Sequence, residues 1–229
     1  MQNEMQNDIR NYLQVKMLSE THSEIQKRYS EESKNSCTNL SCGSNLDLLD
    51  IAPGESILDL GCGRGRETIG AARLSNPDGS AVGLDITPAM IEAAEQNARD
   101  AGVTNISFLH GDIEDLPFSD STFDAVMSNC VINHAKNKGT VYREIYRVLK
   151  YGGRFLISDA VTKQLLPPEV KNDPEAWAQC FGGAVTEAEY LESIREAGFY
   201  HIDVLKRREY IKNGYDFVSL TIRAVKEVK

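Results

Sequence analysis

A chain of 229 residues, 41% hydrophobic and 26% charged, is long enough for one sizeable core and shows neither a composition break nor an internal repeat that would call for a second unit. Its 34 acidic against 25 basic residues give a net charge of -9, which works against a phosphate backbone as partner, because affinity there comes from lysine and arginine displacing counterions. No stretch approaches the roughly 18 apolar residues of a membrane span, the opening MQNEMQND has no apolar signal core, and five cysteines in such a chain read as reduced thiols; the cytoplasm is the expected compartment.

Residues 1–45 are polar, with one amphipathic stretch in which Ile9, Tyr12, Leu13 and Met17 recur at helical spacing, followed by a loop, KNSCTNLSCGSN. They are expected to form a helical lid on a domain of residues 46–229. From Leu46 strands and helices alternate, the pattern of βαβ units and a parallel sheet. Strands are expected at Ser56 to Leu60, Ala81 to Asp85, Ile106 to Leu109, Phe123 to Ser128 and Arg154 to Ser158. Thr87 is the expected cap of a helix with Pro88 in its first turn, a buried stripe of Met90, Ile91, Ala94 and Ala98, and Gly102 at its end. Val141, Ile145, Val148 and Leu149 mark the next helix, stopped by Gly152 and Gly153. Thr186 and Glu189 form a capping box before Tyr190, Leu191 and Ile194. Two last strands, about Ile202 to Leu205 and Phe217 to Val225, are expected to pair antiparallel.

The loop Asp59-Leu60-Gly61-Cys62-Gly63-Arg64-Gly65 follows a buried strand and precedes a helix, so its glycines let the backbone turn tightly beside a bound nucleoside. Arg66 stands where a dinucleotide fingerprint needs its third glycine, which excludes the pyrophosphate-binding version. Asp85 ends the second strand twenty residues past Gly65, where a carboxylate accepts hydrogen bonds from ribose hydroxyls. Asp112 closes the third strand and can accept from an exocyclic adenine amine. Taken singly, both acids also read as simple turn initiators.

Through ILDLGCGRG, the acid of VGLDIT, HGDIEDLPF, FDAVMSN and REIYRVLKYGGRFLISD, the sequence resembles the class I S-adenosylmethionine-dependent methyltransferases over roughly residues 50 to 225. The resemblance implies a Rossmann-like α/β fold with a seven-stranded sheet of order 3-2-1-4-5-7-6. It places S-adenosylmethionine against Asp59, Gly61, Cys62, Gly63, Gly65, Asp85, Ile86, Asp112, Ile113 and Asn129. Cys62, inside the loop where a small side chain suffices, is assigned no chemistry of its own.

Cys130 follows the fourth strand, Cys180 falls in a polar, broken segment after the fifth, AWAQCFGGA, and Cys42 lies in the N-terminal loop. Each is where such a fold turns a side chain towards one cleft, and convergent thiols fit a soft, thiol-seeking substrate. Each alone reads equally as a packed or half-buried cysteine. The longer strings SNCVINHAKNKGTVYREIYRVLKYGGRFLISD, LPPEV and AWAQCFGGA resemble the arsenite methyltransferase branch. In that branch the resemblance makes Cys130, Cys180 and Cys42 the ligands of trivalent arsenic, with Cys37 an alternative to Cys42, and implies a thiol reductant as co-reactant. His134 stands where that branch leads one to expect an apolar residue, and reads as solvated or structural. The rival readings are a methyltransferase acting on carbon or oxygen of a quinone-type ring, indifferent to the cysteines, and a non-catalytic cofactor or metalloid sensor.

Overall fold

The computed structural model describes residues 19–34 and 45–227. Ile9, Tyr12, Leu13 and Met17, and both Cys37 and Cys42, lie outside the described residues. Seven strands, β1 (Ser56–Leu60), β2 (Ser80–Asp85), β3 (Ile106–His110), β4 (Phe123–Asn129), β5 (Leu149–Thr162), β6 (Ile202–Lys212) and β7 (Tyr215–Val225), form one sheet of order β3-β2-β1-β4-β5-β7-β6, as expected. The first five run parallel, and β7 enters antiparallel between β5 and β6. The helices are α1 (19–32), α2 (Leu46–Leu49), α3 (Arg66–Leu74), α4 (Pro88–Asp100), α5 (Lys138–Val148), α6 (Pro168–Lys171), α7 (Pro174–Ala178) and α8 (Glu187–Glu196).

Central parallel strands are covered on both faces, so they read as continuous apolar runs. On one face Leu58, Leu60 and Val126 pack with Val141 and Ile145 of α5 and Tyr190 and Ile194 of α8. On the other, Ile57, Ala81, Ala125 and Met127 pack with Ala71 and Ala72 of α3. Burying a leucine or isoleucine side chain fully contributes about 1.5–3 kcal/mol, so packing fixes where these strands end. The buried stripes of α4 and α5 are the expected ones, and α8 carries the expected capping box.

Three boundaries differ from expectation. The helix before β5 ends at Val148, and Leu149 already pairs with Phe123; a bulge spans the two glycines before Arg154 pairs with Ala125. The ladder to β7 then prolongs β5 to Thr162, opposite Phe217. β6 runs on to Lys212 because Asn213 and Gly214, with φ of 52° and 81°, make the tight turn of a β-hairpin, and Tyr210 stacks on Phe217 at 5.7 Å. Thr87 stands at the start of α4, but its side chain makes no capping bond there; its N–H goes to Asp85 instead.

Buried Asn45 fixes the chain as it enters the domain. Its Nδ2 donates to the carbonyl of Ser128 at 2.8 Å, its Oδ1 accepts from Ser158 Oγ at 2.6 Å, and its N–H donates to Glu67 at 2.9 Å. Asn45→Ala takes the side-chain donor from the Ser128 carbonyl and one of two partners from the Ser158 hydroxyl, which keeps Thr221 at 2.9 Å, a cost of about 2 kcal/mol. Thermal unfolding should fall by roughly 4–8 °C in a chain of this size; an unchanged midpoint would show that Asn45 is not the anchor.

Candidate functional site

At the carboxyl ends of β1, β2 and β4 lies an open cleft of about 780 Å³, counting solvent at its mouth. It is lined by Gly61, Gly63, Asp85, Ile86, Asp112, Ile113, Asn129 and Cys130, with Thr87, Glu114, Val131, His134 and Ala135 completing the wall. Asp59, Cys62 and Gly65, expected on the cofactor, stand behind the loop and do not line the cleft. Asp59 is buried and accepts from Thr68 Oγ1 at 2.6 Å; burial pushes its carboxyl up to about 7. Cys62 packs against the backbone of Gly83, its thiol pushed up by burial. Gly65 begins α3, where a side chain would meet the Phe108 ring at 2.8 Å.

Gly61 has φ of 67°, and a Cβ there would fall 2.2 Å from Val131 Cγ2, so only glycine lets β1 and the turn after β4 approach this closely. Asp85 shapes the floor. Its two carboxylate oxygens accept one N–H each, from Gly63 and from Thr87, both at 2.9 Å. Each oxygen keeps a further lone pair, the acceptor pair a vicinal diol requires. Burial raises the Asp85 pKa, opposed by those two backbone bonds. Asp112 spends one oxygen on the N–H of Glu114, and Ile86 and Ile113 add apolar walls beside the acids. Acids that accept from hydroxyls, apolar walls for a purine and negative charge for a sulfonium fit the donor set of S-adenosylmethionine.

α1 crosses this cleft, and the sequence reading assigned none of its residues to the site. His22, Ile25 and Tyr29 line the cleft from one helical face, a spacing of three and then four that periodicity alone could have shown. Gln26 donates to the carbonyl of Ile86 at 3.0 Å, and Arg28 donates to the carbonyl of Ala178.

The two described thiols of the expected trio sit in unusual backbone. Cys130 has φ of 60°, at a sharp turn from β4 into the 3-10 turn Ile132–His134, and its N–H donates to Ser158 at 2.8 Å. Cys180 has φ of 62° just after α7. The N–H of Cys180 bonds the carbonyl of Trp177 at 2.9 Å and that of Phe181 bonds Ala176 at 3.1 Å, the Schellman pattern that ends helices, with Cys180 in the place glycine ordinarily takes. One expectation is corrected: Cys130 is disulfide-bonded, whereas Cys62 and Cys180 are free. An odd cysteine count does not say which sulfurs the fold brings together.

A second correction concerns His134, which is not solvated but faces polar groups of the protein. Its Nε2 lies 3.0 Å from Cys180 Sγ and 3.0 Å from the Tyr29 hydroxyl, which is itself 3.0 Å from the sulfur. Burial alone would push the Cys180 thiol up; the charge and hydrogen bond of His134, with help from Tyr29 and Arg28, outweigh it and hold the thiol at about 7. Burial likewise disfavours charge on His134, yet the Cys180 sulfur raises the imidazole above its ordinary value. The pair favours thiolate and imidazolium together.

Comparisons with known proteins bear on the fold and the family. Residues 51–198 match a family model described as a methyltransferase domain. An arsenite methyltransferase of Halobacterium salinarum is 37% identical over 200 residues, covering 83% of this chain and 51% of that protein. A human arsenite methyltransferase is 34% identical, covering 76% and 51%. The crystal structure of an arsenic (III) S-adenosylmethionine methyltransferase from Chlamydomonas reinhardtii superposes with a TM-score of 0.73 at 32% identity, covering 89% of this chain and 74% of that one. The chain spans about half the length of the curated relatives it matches.

Two outcomes test the site. Asp85→Ala removes charge-assisted acceptors worth about 1.5–3 kcal/mol each, so calorimetry should show S-adenosylhomocysteine binding weakened at least about tenfold; unchanged affinity would misplace the ribose. Alkylation of Cys180 by iodoacetamide, followed by peptide mass, should be slow when the sulfur is protonated and rise with a midpoint at about pH 7. His134→Leu should move that midpoint up towards the ordinary cysteine value of about 8.5, and a midpoint that stays put would exclude the ion pair.

Proposed function

We propose that this chain, which belongs to the arsenite methyltransferase family of class I S-adenosylmethionine-dependent methyltransferases, transfers a methyl group to trivalent arsenic held by cysteine thiolates. The observation that carries the reading is the pair of left-handed cysteines. Cys130 lines the cleft and Cys180 touches two residues that line it, and both occupy backbone that glycine would adopt more cheaply. Strain of this kind is retained where a side chain is needed. A methyltransferase acting on ring carbon or oxygen would have no use for a thiol at either turn.

S-adenosylmethionine, when bound, supplies a methyl group on a sulfonium. The chain's own part is to hold the acceptor. Each cysteine thiol gives its proton to a hydroxyl of arsenite, which leaves as water as the sulfur–arsenic bond forms, and three sulfurs hold arsenic as a pyramid with its lone pair free to attack. Arsenic loses no proton in the transfer, so no general base is required, and catalysis rests on proximity and alignment. Cys42 is proposed as the third ligand with Cys130 and Cys180, Cys37 being its alternative. Cys130 binds arsenic only after reduction: two thiols of a small reductant give their hydrogens to the disulfide sulfurs and leave joined as a disulfide. A cytoplasm rich in such thiols suits the chemistry. Among the described residues no helix is long and apolar enough to cross a membrane. The placement of α1 across the cleft supports residues 1–45 as a lid over residues 46–229.

The test incubates purified protein with S-adenosylmethionine, arsenite and a thiol reductant and separates arsenic species by chromatography with mass detection. Methylated arsenic is expected, and its absence would overturn the proposal; leaving out the reductant should abolish methylation but not cofactor binding. Cys130→Ser and Cys180→Ser should each abolish both the first and second methylation, because a hydroxyl is a hard, weak ligand for a soft centre. Monomethylated arsenic has only two exchangeable positions, so Cys42→Ser should lose mainly the first step and recover turnover when given that species. Rescue of Cys130→Ser in the same way would mean that the ligand pair is wrongly assigned. Cys180→Gly should melt at the same temperature as the native protein or above it, since the left-handed turn is relieved by about 1 kcal/mol, yet bind no arsenite.

A further inference from the structure

Polar atoms from two separate elements converge on one sulfur. Tyr29 on α1 and His134 on the turn after β4 each place a polar atom 3.0 Å from Cys180 Sγ and 3.0 Å from one another. The two rings meet edge to face, centroids 5.5 Å apart at 88°, so each blocks the other from swinging away. Arg28 stands 4.0 Å from the same sulfur while its guanidinium holds the carbonyl of Ala178, two residues earlier. Cys62, by contrast, packs as a buried core atom whose sulfur reaches only the carbonyl of Gly63, at 3.8 Å.

We propose that Tyr29 and His134 are positioning residues of the arsenic site, clamping Cys180 Sγ in one rotamer so that the bound arsenic faces the methyl donor in a single orientation. The proposal rests on the reading of Cys180 as an arsenic ligand and deepens it. A cysteine sulfur is placed by one torsion with three staggered wells. Moving between wells displaces it by more than the ~1 Å that costs an alignment-dependent reaction about a hundredfold. The backbone of Cys180 is fixed by the end of α7, so the remaining freedom is that torsion, and the two rings remove it. α1 thereby contributes a side chain to the reacting end of the cleft as well as a cover.

The experiment compares Tyr29→Phe, His134→Leu and His134→Gln with the native chain in the presence of reductant. Each of the first two should lower kcat for arsenic methylation roughly tenfold to a hundredfold, with unfolding temperature unchanged. His134→Gln keeps a side-chain N–H donor and should recover most of kcat. Affinity for phenylarsine oxide, a trivalent arsenical that needs two thiols and no methyl donor, should fall in Tyr29→Phe and His134→Leu. Native kcat and native phenylarsine oxide affinity in both would overturn the clamp, as would a glutamine variant no better than leucine. If the native chain binds phenylarsine oxide but produces no methylated arsenic, the assigned reaction fails, and the clamp is still judged by the probe's affinity.

Discussion

The cleft exists because the chain leaves neighbouring strands on opposite sides of the sheet. After β1 the connection turns into α3, which packs on the face of Ile57 and Met127; after β4 it turns into α5, which packs on the face of Leu58 and Val126. Between β1 and β4 the two connections diverge, and a crevice opens at their carboxyl ends, the place where open α/β sheets bind ligands. The constraint is steric and tight. Gly61 and Val131 sit on either lip, and one methyl group at Gly61 would collide with the valine. Asp85 and Asn45 depend on this geometry, one bonding the loop after β1 and the other tying Ser128 of β4 to Ser158 of β5.

The same edge carries the two strained turns, and a buried polar network holds them in register. Asp159, at the end of β5, accepts from the N–H and the side chain of Asn133 at 3.1 and 2.9 Å, which fixes the turn following Cys130. Lys138 reaches from the start of α5 to the carbonyl of Gly183 at 2.6 Å, which fixes the loop following Cys180. Burial pushes the Asp159 carboxyl up to about 6 and the Lys138 amine down to about 8. The turns meet directly, since a Cβ on Gly183 would fall 2.0 Å from the Asn133 carbonyl oxygen. Buried polar contacts of this kind specify one arrangement where apolar packing would tolerate several, even with Asn133 Oδ1 left without a hydrogen-bond partner.

The central strands, the glycine loop and the acid at the end of β2 were legible because each depends on neighbours close in sequence, an apolar run, a turn, a helix start, whereas the sheet order came from the family resemblance alone. The ends of β5 and β6 were not, since their ladders are extended by β7, a partner far along the chain. The Asn213-Gly214 turn was nonetheless a local signal that the sequence offered. His134 shows the limit most clearly. Its neighbours in sequence describe an ordinary turn, and its role follows from Cys180 and Tyr29, 46 and 105 residues away. Nor can a sequence show that Cys180 closes a Schellman turn, because the residue that reveals the motif is ordinarily glycine.

That substitution of cysteine for glycine has a genetic consequence. The codons UGU and UGC become GGU and GGC by a single first-position change, so mutation continually offers position 180 a residue better suited to its backbone, φ of 62°. A thiol at this position is therefore held against both the preference of its backbone and a one-step route to the residue that backbone favours.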